Sequence, residues 1–168
     1  MNAMIDPLKL ADSYSTSFPV PIFEILENFG LGPEFLDMED NISGWIERKS
    51  DGSYYVGINR RHAPVRQRFT AAHELGHYIY HRDLLGAGVG DTRAYRALGT
   101  RLPNNAIQPL HERQANSFAA NLLMPRRGIA ALQANGIVSP EDLAVRFGVS
   151  KDAMRIRLGL PRDPQFFL

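Results

Sequence analysis

The chain has 168 residues, 44% hydrophobic and 22% charged, with no cysteine. That makeup suits one folded domain with a real core and excludes disulfides, thiolate nucleophiles and cysteine-ligated zinc or iron–sulfur centres. Net charge is +1, but residues 1–47 carry nine acids against Lys9, while 48–168 carry 18 bases against nine acids; the two halves neutralise each other or present a basic face to an acidic partner.

In chain order, the opening MNAMIDPLKLADSYS lacks a basic segment followed by an apolar core. No apolar run approaches a bilayer span, so a cytoplasmic, membrane-free protein is expected. Asp6-Pro7 predicts the cap and first position of a short helix to Ser13. Pro19 and Pro21 interrupt the chain, and PIFEILENF reads as a second helix stopped by Gly30. ISGWIER and SYYVGIN, separated by Lys49-Ser50-Asp51-Gly52, predict an antiparallel hairpin. The YYVGIN strand either packs in the core or offers an edge to an extended substrate.

Pro64 suits the start of a long helix on which Phe69, Ala72, His73, Gly76, His77 and Tyr80 form one stripe. Residues 82–107 lose periodicity, with Gly86, Gly88, Gly90 and Gly99 and a Pro103-Asn104-Asn105 turn, and their GAGVGD fits no phosphate-binding loop. A helix from about Pro109 to Met124 ends at Pro125, and another covers about 127–134. Ser139-Pro140-Glu141-Asp142 opens the next, Gly148 ends it, and Ser150 caps a last helix to about Leu158. No repeat or internal linker appears, so 1–168 reads as one domain.

All five histidines lie between His62 and His111. With cysteine absent, a tight transition-metal site must be built from them and from carboxylates. Residues 73–77 read His-Glu-Leu-Gly-His. Four residues apart on a helix is one turn, so the rings of His73 and His77 can converge on one ion. Glu74, rotated about 100° from His73, is better placed to act on a metal's water than to ligate. A catalytic zinc takes a third protein ligand. The later helix shows an apparent buried stripe of Glu112, Ala115, Asn116, Ala119, Leu122 and Leu123. A buried carboxylate is costly unless paired or on a metal, which makes Glu112 the candidate, with Asn116 one turn on to hold a ligating ring. His111 is the rival ligand.

RFTAAHELGHYIYH (68–81), followed by HERQANSFAANLLMP (111–125), resembles the ImmA/IrrE family of small bacterial and phage zinc metallopeptidases, and LAVRFGVSKDAMRIRLGL (143–160) fits its C-terminal helices. The resemblance implies that His73, His77 and Glu112 bind zinc, that Asn116 matches the motif asparagine, and that Glu74 is the general base. It implies an α+β fold with a minimal gluzincin-like (zincin) core: a small antiparallel sheet, an active-site helix, a third-ligand helix and a C-terminal helical bundle. It also implies a substrate class, helix-turn-helix repressors of the Xre type, here one encoded nearby.

On that reading the chain is a zinc endopeptidase, with manganese or iron as alternative metals. Transition-state or substrate contacts fall to Tyr78, Tyr80 or His81, with His62 and His111 also conceivable; His81, one turn beyond His77, is otherwise a support for that ring or a plain surface histidine. The alternatives are a non-proteolytic antirepressor or toxin–antitoxin component built on the same site, and a DNA-binding module. The last rests on the helix-turn-helix cadence of about 139–160 with Arg155 and Arg157, a fragment that equally serves as scaffold. Arg60, Arg61, Arg66 and Arg68 are candidates to dock an acidic partner.

Overall fold

Asp51 and Gly52 make the hairpin turn. Gly52 has φ +85°, a conformation open chiefly to glycine, and Asp51 Oδ1 accepts from the Ser53 backbone N–H at 2.8 Å. The turn joins β2 (Gly44–Arg48) to β3 (Tyr54–Asn59) in antiparallel register, Gly44 opposite Ile58 and Arg48 opposite Tyr54. The computed structural model describes residues 6–85 and 107–161. The readings made on 1–5 and on the glycine-rich 86–106, with its GAGVGD and Pro103-Asn104-Asn105 turn, lie outside the described residues.

The fold is α+β, and the described chain divides into two compact units, Pro21–Ala119 and the paired segments Met1–Val20 and Ala120–Leu168. In the first, α2 (Ile22–Asn28) leads into β1 (Leu31–Leu36), a strand not expected from the sequence. β1 pairs parallel with β3, so the sheet order is β1-β3-β2. This corrects the expected antiparallel sheet: it is mixed. Pro33 is accommodated because β1 lies at an edge, where a missing N–H costs no ladder bond. β3 lies between two partners and therefore has no edge to give a substrate. Gly57 on β3 faces Trp45, whose Cε2 would be 2.8 Å from a Cβ added there, so only glycine lets the indole lie flat on the strand.

After β3 the chain is turned into a helix by Asn59. Its fully buried side chain donates to the carbonyls of Glu39 (3.0 Å) and Ile42 (2.7 Å) and accepts from the Arg61 N–H (3.0 Å). Gln67 then caps the Asn59 and Arg60 carbonyls at 3.2 and 3.0 Å. Helix α3 (Pro64–His81) starts with its proline at the first turn, as predicted, and packs on β2 and β3. Thr70 through His77 are buried at every position, so the helix is enclosed on all sides rather than along one stripe. The ends of the predicted stripe fall outside that enclosure: Phe69 is half-buried and Tyr80 exposed. A 3-10 turn, Arg82–Leu84, follows.

Helix α4 (Pro109–Leu123) carries the chain into the second unit, which also holds α1 (Pro7–Ser13), α5 (Arg126–Ala134), α6 (Pro140–Phe147) and α7 (Lys151–Arg157). Its caps are the predicted ones. Ser139 Oγ accepts from the Asp142 N–H at 3.0 Å, Gly148 ends α6 at φ +62°, and Ser150 Oγ accepts from the Ala153 N–H at 3.1 Å. Its core is apolar, with Leu143, Phe147 and Met154 fully buried and the Phe18 ring edge-on to Phe147 at 4.8 Å. No helix among the described residues is long and apolar enough to cross a membrane.

Candidate metal centre

Helical spacing puts His73 and His77 one turn apart on α3, with ring centroids 4.7 Å apart and both residues 1% exposed. Helix α4 brings Glu112 to them. Its Oε1 is 3.3 Å from His77 Nε2 and its Oε2 3.9 Å from His73 Nε2. One ligand atom from each of the three lies within 4.8 Å of the others. A tetrahedral ion about 2.0–2.1 Å from each donor separates its donors by about 3.3 Å. The His77–Glu112 edge already has that length, and the two imidazoles with a carboxylate are a donor set suited to a divalent metal. The group can hold a metal ion. Glu112 keeps 36% of its side chain exposed, so the centre opens to solvent on the α4 side.

The approach of the two helices depends on Gly76, inside the His-Glu-Leu-Gly-His run. A Cβ there would lie 3.1 Å from both Ala115 Cα and Phe118 Cδ1, and 3.3 Å from the Ala115 carbonyl oxygen. Ala115 is itself fully buried, so neither side has room to yield.

Glu74 is buried at 1% exposure, one residue and about 100° round the helix from His73. His81 is buried too. Its Nδ1 is 3.1 Å from His77 Nδ1, and its Nε2 is 2.9 Å from Gln114 Oε1. Burial is the main cause that lowers the His81 pKa, the hydrogen bond to Gln114 works against it, and the neighbouring His77 and His111 lower it further.

Other candidates sit elsewhere. His111 packs its ring 4.7 Å from His81, while its Nδ1 accepts the Gln108 N–H at 3.0 Å ahead of α4. His62 Nε2 lies 2.9 Å from the Asp40 carbonyl oxygen, in the loop before β2. Tyr78 packs its ring against Tyr54 at 5.3 Å, with the Arg82 guanidinium over it at 5.5 Å; those neighbours are not part of the metal group. Tyr80 is 47% exposed and edge-on to Phe118 at 5.9 Å.

Asn116 is exposed and is not among the partners of either ring. The buried face of α4 is Ala115, Phe118, Ala119, Leu122 and Leu123, so the predicted stripe holds except that Phe118 takes the place assigned to Asn116. The side chains behind His77 are His81 and, beyond it, Gln114. Sequence reasoning passed over Gln114, which the histidine spacing His73, His77, His81 does not mark.

The basic candidates are mostly engaged locally. Arg60 and Arg61 both face Asp37, at 3.9 and 3.7 Å, and Arg66 donates to Ser43 Oγ at 2.9 Å. In the helical unit, Arg155 Nε donates to the Pro161 carbonyl at 2.8 Å with Glu141 at 3.8 Å, and Arg157 Nε donates to the Met124 carbonyl at 2.9 Å.

Comparison with known proteins adds two findings. A family model described as the IrrE N-terminal-like domain of the M78 peptidases matches residues 35–159. A solved structure of a Mycobacterium tuberculosis transcriptional regulator is similar at TM-score 0.62 and 18% identity, covering 95% of this chain and 47% of that one. At that identity the likeness concerns the fold, and the chain spans about half the length of that regulator. No curated protein sequence matches.

Proposed function

The chain belongs to the M78 peptidase family, with its IrrE N-terminal-like domain at 35–159, and from that premise we propose that it is a zinc-dependent endopeptidase of the cytoplasm whose substrate is a helix-turn-helix repressor of the Xre type. The observation that carries the reading is the convergence of His73, His77 and Glu112, with Glu74, next in the chain to His73, buried. Zinc, when bound, supplies the Lewis acidity that makes water nucleophilic near neutral pH. His73 and His77 would hold it through ring nitrogens, and Glu112 would add a carboxylate oxygen. Glu74 takes the proton of the attacking water and returns it to the leaving amine. Burial keeps bulk water from Glu74, while Glu112 retains an exposed edge. The repressor as substrate rests on the family resemblance of the motifs.

The test uses purified protein loaded with zinc and a helix-turn-helix repressor encoded beside it. The wild type is expected to cleave it. Glu74→Gln is expected to bind zinc as before while cleavage falls about 10²–10⁴-fold. Undiminished cleavage by Glu74→Gln overturns the assignment of the base. Binding of the repressor without cleavage by the wild type favours the antirepressor reading. Autonomous DNA binding is the weaker alternative, because Arg155 and Arg157 are engaged with the chain's own carbonyls.

A further inference from the structure

We propose that His81 and Gln114 form a positioning relay that fixes the tautomer of His77 and aims its Nε2 at the metal. The inference rests on the metal-centre reading above and assigns the work of orienting a ligand to a histidine–glutamine pair.

The direction of the relay follows from donor and acceptor chemistry. The Gln114 amide oxygen only accepts, so the His81 Nε2 it faces at 2.9 Å carries the hydrogen. A neutral imidazole has one N–H and one lone pair, which leaves the lone pair of His81 on Nδ1. That atom lies 3.1 Å from His77 Nδ1, and two facing ring nitrogens need one hydrogen between them, so His77 supplies it. The lone pair of a neutral His77 then lies on Nε2, the atom 3.3 Å from Glu112 Oε1. A lone pair and a carboxylate directed at the same point suit a cation placed between them.

The geometry holds this order in place. His81 is 5% exposed and sits one helical turn from His77, so α3 itself sets the separation. The His111 ring packs against it at 4.7 Å. Gln114 comes from α4, two residues after Glu112, so the helix that brings the carboxylate to His77 also brings the acceptor that orients His77. A metal-ligating histidine ordinarily gives its second N–H to a carboxylate, a carbonyl or water, and loss of such support weakens metal binding about 10–100-fold. Here a histidine, itself held by Gln114, takes that place.

The test is zinc affinity, measured by competition with a chromophoric chelator, together with imidazole nitrogen NMR of the metal-free protein. His81→Phe keeps a planar ring and removes the acceptor; it is expected to weaken zinc binding about 10–100-fold. His81→Asn, which returns an oxygen near the Nδ1 position, is expected to recover most of that loss. Gln114 is exposed, so Gln114→Leu folds; it is expected to weaken binding less, and to have no effect once His81 is Phe. NMR is expected to find the His81 hydrogen on Nε2. A hydrogen on His81 Nδ1, or His81→Phe and Gln114→Leu weakening zinc independently of each other, overturns the relay and leaves the peptidase reading intact. Failure of the wild type to bind zinc overturns the peptidase reading, and the NMR result still decides the relay.

Discussion

The two units of the chain treat polarity in opposite ways. Among the described residues, the buried polar or charged side chains are Asn59, Thr70, His73, Glu74, His77 and His81, and all six belong to Pro21–Ala119. The segments Met1–Val20 and Ala120–Leu168 bury only apolar side chains there, among them Leu122, Leu123, Leu143, Phe147 and Met154. Burying a polar group without a partner costs on the order of 1–3 kcal/mol. A fold accepts such groups where a knot or a chemical site needs them. Asn59 is a knot, satisfied by the Glu39 and Ile42 carbonyls, and Thr70 is returned to the Arg66 carbonyl at 3.0 Å. The other four, His73, Glu74, His77 and His81, fall on one helix within nine residues, and two of them belong to the group that can hold a metal ion. The helical unit carries helix caps and inward-turned arginines, the marks of scaffold.

The largest effect expected from breaking this division is in the scaffold. Phe147→Ala removes a fully buried ring packed on Phe18 and is expected to cost about 3–5 kcal/mol in denaturant unfolding. Zinc affinity of the folded protein is expected to stay within about twofold, as for a site with no shared partners. A large loss of zinc affinity would show that the helical unit takes part in the site. Gly76→Val comes next. It forces two methyl groups toward Ala115 and Phe118, is expected to cost about 1–3 kcal/mol, and, unlike Phe147→Ala, to weaken zinc binding by widening the His77–Glu112 gap. Unchanged zinc affinity would mean that the close approach of α3 and α4 does not set the centre. The smallest effect belongs to Ser139→Ala, which removes a helix cap. Thermal unfolding should register a loss of about 1 kcal/mol, with no change at the metal.

The same contrast explains what could be read from the sequence. The histidine face of α3 was legible because His73, His77 and His81 sit at a fixed helical interval. The caps at Ser139, Gly148 and Ser150 were legible because their chemistry is local. β1 was not. Gly32-Pro33 punctuates LGPEFL as a turn would, and only pairing with β3, more than twenty residues on, makes it a strand. Asn116 and Gln114 could not be ranked, because their places depend on how α4 is rotated against α3, and that rotation is set by Phe118 and by the absence of a side chain at Gly76. Tyr78, one residue past His77, was drawn to the sheet side by Tyr54 and Phe29, a tertiary preference with no local mark.

The claim on which the account depends is that Glu112, from a separate helix, completes a metal site begun by two histidines on α3. Competitive zinc titration of the wild type and Glu112→Ala tests it directly. The wild type is expected to bind one ion per chain, and Glu112→Ala to lose more affinity than the roughly 10–100-fold that follows from removing a merely supporting residue. Zinc held by Glu112→Ala as tightly as by the wild type would contradict it.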